Sequence, residues 1–187
     1  MNQTIGIIKS RRSIRSFYDR QIKQEELNSI IEAGMYAPSL QNQQPWHFTV
    51  IQNKQMIDML NEELMDLAKS GCSESLKGYL KNGENFHVFY NAPTIIIVSG
   101  DEKIAVSQID CAAATENMLI AAESLGIGSC WIGFIALLFN SDKIEKYKEL
   151  LCIPKGFKPY HAIALGYRNE SIVEVPVRKE NIISYIK

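Results

Sequence analysis

Several kinds of protein are ruled out by what this sequence has little of. The longest apolar run, Ala92 to Val98, carries a Pro and a Thr. It is far shorter than the roughly 20 residues a membrane-crossing helix needs, and it reads as a buried strand. Excess charge is also missing: 20 Lys and Arg stand against 21 Asp and Glu, a net charge of -1. No bulk attraction to nucleic acid or to an anionic membrane follows from that balance, so any anion must be held by local charge. The four cysteines, Cys72, Cys111, Cys130 and Cys152, show no paired spacing. Zinc and dithiol redox chemistry are therefore not expected, and the thiols read as buried or inert. His47, His87 and His161 lack ligand-like spacing, so no metal site is expected. Neither the dinucleotide glycine fingerprint nor the phosphate-binding P-loop occurs, which argues against a permanently bound dinucleotide and against nucleotide hydrolysis. The start, Met1 to Thr4, lacks the basic and apolar regions of a secretory signal, and the expected location is cytoplasmic.

What is present suits a globular enzyme. A length of 187 residues, 46% hydrophobic and 22% charged, fits a single domain over residues 1–187. Helical spacing of apolar residues predicts helices over Ile5–Lys9, Glu25–Tyr36, Lys54–Lys69 and Ile109–Leu125, with a shorter one capped by Ser141 and running to Leu150. Apolar and β-branched runs predict strands over Phe48–Gln52, Thr94–Gly100, Ser129–Ile132 and Pro159–Tyr167. Gly126 sits where a helix would end in the left-handed conformation. Residues 70–91, rich in polar residues but with Phe86, Phe89 and Tyr90 at their end, read either as an active-site flap or as an ordinary surface connection. The tail, 168–187, carries Ile172, Val173, Val175, Val177, Ile182, Ile183 and Ile186 and needs a surface to cover, on its own subunit or on another.

Three segments carry the chemistry. Arg11-Arg12-Ser13-Ile14-Arg15-Ser16-Phe17 offers clustered cations and a hydroxyl, a donor set suited to a phosphate. Pro38 to Trp46 is a proline-bounded loop of amide side chains, which donate and accept in a fixed plane. Leu125 to Gly133 is rich in glycine, so backbone can approach a flat ligand there. Cys130 lies within it, but no neighbouring base would activate it as a nucleophile. A nucleotide-like cofactor is the common denominator, whereas the basic residues are too localised for a nucleic-acid surface.

In type, order and approximate spacing these segments resemble the signatures of the nitroreductase family of FMN-dependent oxidoreductases. The resemblance runs from Ile7 to the region of Arg178. It implies an α+β fold with a central, mostly antiparallel sheet flanked by helices and a C-terminal tail exchanged in a homodimer, with FMN at the interface. By the same resemblance Arg11 and Ser13 bind the phosphate. Arg12 reaches phosphate or ribityl, or is a solvated surface residue. Arg15 lies near the pyrimidine edge of the ring. Pro38, Ser39, Asn42 and Gln44 approach the partner's flavin, and Trp131, Ile132 and Gly133 run along the ring near N5. Arg178, or its neighbour Lys179, returns to the phosphate. The implied activity moves hydride from NADH or NADPH to a small electron-poor acceptor such as a nitroaromatic, a quinone or an activated alkene, with no catalytic acid or nucleophile. Alternatives are a flavin-binding regulatory or storage protein with little turnover, and another family activity such as reductive dehalogenation.

Overall fold

The computed structural model describes residues 2–70, 86–169 and 175–187. Most of the expected flap, and part of the tail, therefore lie outside the described residues. In chain order the elements are α1 (Gln3–Ser10), α2 (Gln24–Met35), a 3-10 turn (Leu40–Asn42), β1 (Trp46–Ile51) and α3 (Lys54–Lys69). They continue with β2 (Thr94–Asp101), α4 (Ser107–Ser124), β3 (Ile127–Ile132), α5 (Ile135–Phe139), α6 (Ile144–Leu150) and β4 (Phe157–Tyr167).

The four strands form one antiparallel sheet in the order β1-β2-β4-β3. β2 and β4 are the inner strands, and their apolar residues divide by parity because successive side chains point to opposite faces. Ile95, Ile97, Ala162 and Ala164 join a core cluster with Leu60 and Leu64 of α3, Leu138 of α5 and Tyr147 of α6. Ile96, Val98, Ile163 and Leu165 join a second cluster with Leu27 and Ile30 of α2 and with Cys111, Met118 and Leu119 of α4. The result is helices on both faces of an antiparallel sheet. α2 and α4 cross closely at Gly34, where a Cβ would lie 2.8 Å from Met118 Cγ.

Most expected boundaries hold within two or three residues, and the deviations have physical causes. β1 begins at Trp46, ahead of the expected Phe48: the Pro45 carbonyl accepts from the Asp101 N–H, which aligns the chain with β2 before the apolar run starts. Gly126 takes φ +74 immediately after the α4 cap. The helix expected from Ser141 differs more. The chain forms α5 first, the Ser141 hydroxyl donates to the Leu138 carbonyl and accepts from the Lys143 N–H, and α6 starts only at Ile144. Ser141 thus closes one helix instead of capping the next. Among the described residues no helix is long and apolar enough to cross a membrane. Cys111 and Cys130 are buried and Cys152 is exposed, and none of the three forms a disulfide among the described residues.

Candidate functional site

After α1 ends at Arg11, the chain becomes an arm that meets β3 at Ser129 and crosses to the C-terminal end of β4. Ser13 bridges Ser129 in parallel, the Ile14 N–H donates to the Ser129 carbonyl at 2.9 Å, and Phe17 bridges Arg168. The arm fits because two glycines leave room for it. A Cβ on Gly128 would meet Arg168 Cγ at 2.9 Å and Ile14 Cγ2 at 3.0 Å, and one on Gly166 would meet Phe17 Cδ1 at 3.0 Å. Part of the glycine content expected to serve a ligand therefore serves the arm. Gly133 is different: a Cβ there would meet nothing within 4 Å.

Segments one and three are thereby brought side by side. Arg11 reaches Glu116 of α4 at 3.8 Å. Arg12 is only 9% exposed. Its Nη1 donates to the Lys9 and Arg11 carbonyls at 2.8 and 2.6 Å, and its buried Nε has no partner among the described residues. It is not the solvated surface residue that was one of the two expectations. A buried cation with no carboxylate beside it is costly unless an anion compensates it. The Ser13 hydroxyl makes no hydrogen bond among the described residues. Arg15 donates to the Ser13 carbonyl and lies 5.7 Å from the Tyr90 ring centroid. The aromatic flank of the expected flap thus touches this region, although residues 71–85 themselves are not described.

In β3 the alternation of a strand separates two residues that the sequence reading grouped. Trp131 is 37% exposed, whereas the Ile132 side chain is buried in the core with Ala162 and Ala164. Only the main chain of Ile132 is left for a ligand. The Trp131 ring lies on His161, with centroids 4.2 Å apart and planes inclined by 32°. His161 is itself buried, and desolvation pulls its pKa down to about 4. Spacing gave no role to His161, but its sequence signal was visible: a polar ring inside the apolar run Pro159 to Tyr167.

The second segment lies elsewhere. Gln41, Asn42 and Gln44 all adopt left-handed backbone, with φ of 50°, 56° and 47°. Each such residue costs of order 1 kcal/mol or more, and such strain clusters at functional sites. Ser39 Oγ accepts from the Gln44 N–H at 3.0 Å, and Gln44 Nε2 donates to Asn42 Oδ1 at 3.2 Å. Pro38 is exposed at the mouth of the loop. The loop feeds β1, whose first residue, Trp46, pairs with Gly100. It therefore sits at the same end of the sheet as Gly133 but at the opposite edge. Three strand spacings, roughly 14 Å, lie between them.

One helix holds all three segments. On α4, Glu123 accepts from the Ser10 hydroxyl and pairs with Arg168, Glu116 pairs with Arg11, Asp110 accepts the Leu40 N–H at 3.2 Å, and Thr115 holds His161 beneath Trp131. The sequence reading named none of these anchors. Arg178 is not brought to the arm: its guanidinium donates to the carbonyl of its own Pro176, and the described tail covers nothing, with Val177 96% exposed. Among the described residues no three His, Cys, Asp or Glu side chains converge on a metal position.

The fold and sequence are shared with known proteins. A nitroreductase from Bacteroides fragilis, solved with bound FMN, superposes with a TM-score of 0.89 at 36% identity, covering 100% of both chains. A protein of Archaeoglobus fulgidus, provisionally named NADH dehydrogenase/NAD(P)H nitroreductase, is 34% identical over 172 residues, 89% of this chain and 86% of its own. The FMN reductase (NADPH) of Bacillus subtilis is 29% identical over 180 residues, 89% of this chain and 66% of its own. The model of the nitroreductase family matches residues 8–167, and the chain belongs to that family.

Proposed function

We propose that this protein is an FMN-dependent oxidoreductase that draws hydride from NADH or NADPH and delivers it to a small electron-poor acceptor, a nitroaromatic, quinone or activated alkene. The observation that carries the reading is the bridge of Ser13 to Ser129, which sets the Arg11–Arg15 arm against the strand that runs on to Trp131 and Gly133. The donor set fits FMN: among the described residues a buried guanidinium lacking a carboxylate, a hydroxyl without a hydrogen bond and a glycine facing open space match a phosphate at one end and a flat ring at the other. When bound, FMN supplies the carrier of two electrons between donor and acceptor.

The residues of this chain bind and tune. Arg11, Arg12 and Ser13 hold the phosphate through charge-assisted and neutral hydrogen bonds. Arg15 places positive charge where the reduced ring gathers negative charge, and a backbone N–H near Gly133 polarises the ring edge without a titrating group. No side chain of the site acts as acid or nucleophile. Pro38, Ser39, Asn42 and Gln44 serve the flavin of a second copy, since their loop stands at the opposite edge. The apolar tail, 168–187, covers that copy, and Arg178 or Lys179 returns to the phosphate. A homodimer thus completes two sites. Use of NAD(P)H, a reductant of the cell interior, accords with a cytoplasmic place of work. In this reading Tyr90, at the described end of the expected flap, contacts Arg15 and helps select the acceptor.

The test is direct. The purified protein is expected to be yellow, to bleach rapidly with NAD(P)H without oxygen, and to recolour on adding a nitroaromatic or quinone. Arg11→Ala and Ser13→Ala should each weaken FMN retention, by about tenfold or more for the charged contact. A yellow protein that does not bleach would be a flavin-binding protein without this turnover, and a colourless one that refuses FMN would end the proposal.

A further inference from the structure

His161 stands on the inner strand β4, 4% exposed, paired with Val98 of β2. Its Nε2 lies 2.6 Å from the Thr115 hydroxyl oxygen. The same hydroxyl lies 2.9 Å from the Cys111 carbonyl, so α4 holds it in place and, through it, the orientation of the ring. Register explains what rests on it. Trp131 pairs with Ile163, and His161 is the diagonal neighbour on the same face of the adjacent strand. The indole packs on that fixed imidazole while about a third of its own surface stays open, at 37% exposure.

A tryptophan at a strand end, on the residue before the one that turns to Gly133, would ordinarily be free to change rotamer. Here it is not. Next to Thr115 in α4 stands Glu116, the partner of Arg11, so one helical turn sets both the indole and a cation of the arm. We propose that His161 is a positioning residue for the flavin reaction: held by Thr115, it backs the Trp131 indole so that the opposite indole face offers a fixed wall to the flat ring. This rests on the FMN reading above. Burial also keeps the imidazole uncharged over the working pH range, so the support neither titrates nor repels the cations nearby.

The chain has two tryptophans, so Trp46→Phe leaves Trp131 as the sole reporter. In that background, with FMN bound as purified, His161→Ala should raise acrylamide quenching of Trp131 emission by about twofold, as a side chain that loses its support becomes more open. Anaerobic bleaching by NADH should slow about tenfold at unchanged FMN content, the effect expected of a misplaced reacting ring. His161→Phe restores a flat support, and both readouts should return to within about twofold of the parent, a rescue that mere loss of stability would not give. Should His161→Ala fail to fold, Thr115→Val keeps the imidazole and removes its pin; a slowing of about threefold is expected. Parent-like bleaching and quenching in the folded variant overturn the inference and leave the FMN reading intact. A parent that takes up no FMN overturns both.

Discussion

Beyond β3 the sheet is finished by its own chain: the arm pairs with Ser129, and two glycines make room for it. Beyond β1 no described residue adds to the sheet, and the loop entering that strand keeps three left-handed non-glycine residues exposed to solvent. The same helix, α4, anchors both sides, so the contrast is not one of rigidity. It lies in completeness. One edge gathers the arm proposed to hold the phosphate, while the other carries exposed polar side chains on left-handed backbone, in a loop hydrogen-bonded within itself and to Asp110. Strain and exposed apolar surface persist where a partner repays them, and this is why the two edges are read as complementary halves supplied by two copies.

The comparison can be broken in several ways. The largest effect should come from removing residues 175–187. If the exposed tail covers a second copy, the truncated protein becomes monomeric by light scattering and loses nearly all FMN; a truncated dimer that stays yellow would separate the tail from the site. Next is the pH dependence of the β3 side. His161 holds a pKa of about 4 in the fold against 6.5 when unfolded, so between those values the unfolded chain binds more protons and stability falls as pH drops. The full difference is about 3 kcal/mol. His47 and His87 are shifted in the same downward direction by burial, so the quantity to read is the difference between parent and His161→Phe. The fall in denaturant midpoint from pH 6.5 to pH 4.5 should be smaller in the variant than in the parent; equal pH slopes would contradict the burial of this ring.

Smaller changes sharpen the same contrast. Gly128→Ala puts a methyl 2.9 to 3.1 Å from Arg168, Ile14 and the Gly166 carbonyl. It should cost about 1–2 kcal/mol and loosen the arm, lowering FMN affinity with it. On the β1 side, Gln41→Gly removes a side chain from left-handed backbone and should stabilise the protein by about 0.5–1 kcal/mol. A Tm higher by about 2 °C is the expected reading. A fall in Tm at Gln41→Gly would mean the loop is not strained and would weaken the reading of that edge.

The fold was largely legible because its signals are local. Leu60 and Leu64 recur at helical spacing, and Ile95 to Val98 can only be an inner strand. The three site segments were legible as motifs but not as a geometry. That Arg11–Phe17 lies on β3 depends on Gly128 and Gly166, whose role appears only when strands far apart in sequence are neighbours. Ile132 was grouped with Trp131 by adjacency, although a strand turns adjacent side chains to opposite faces. The anchors Asp110, Thr115, Glu116 and Glu123 left no motif, since helix spacing alone does not say which polar residue meets which loop. Ser141 misled because a short apolar helix, α5, had no pattern long enough to be read.

A site divided between two copies is tested most directly by complementation. One chain carries Arg11→Ala and Ser13→Ala, the other Ser39→Ala and Asn42→Ala, and the two are co-expressed with different tags so that the heterodimer alone is isolated. Each variant dimer alone should retain little FMN. The heterodimer should hold about one FMN per dimer, since one of its two sites then joins an intact arm to an intact loop. A heterodimer as empty as the two variant homodimers would contradict the account.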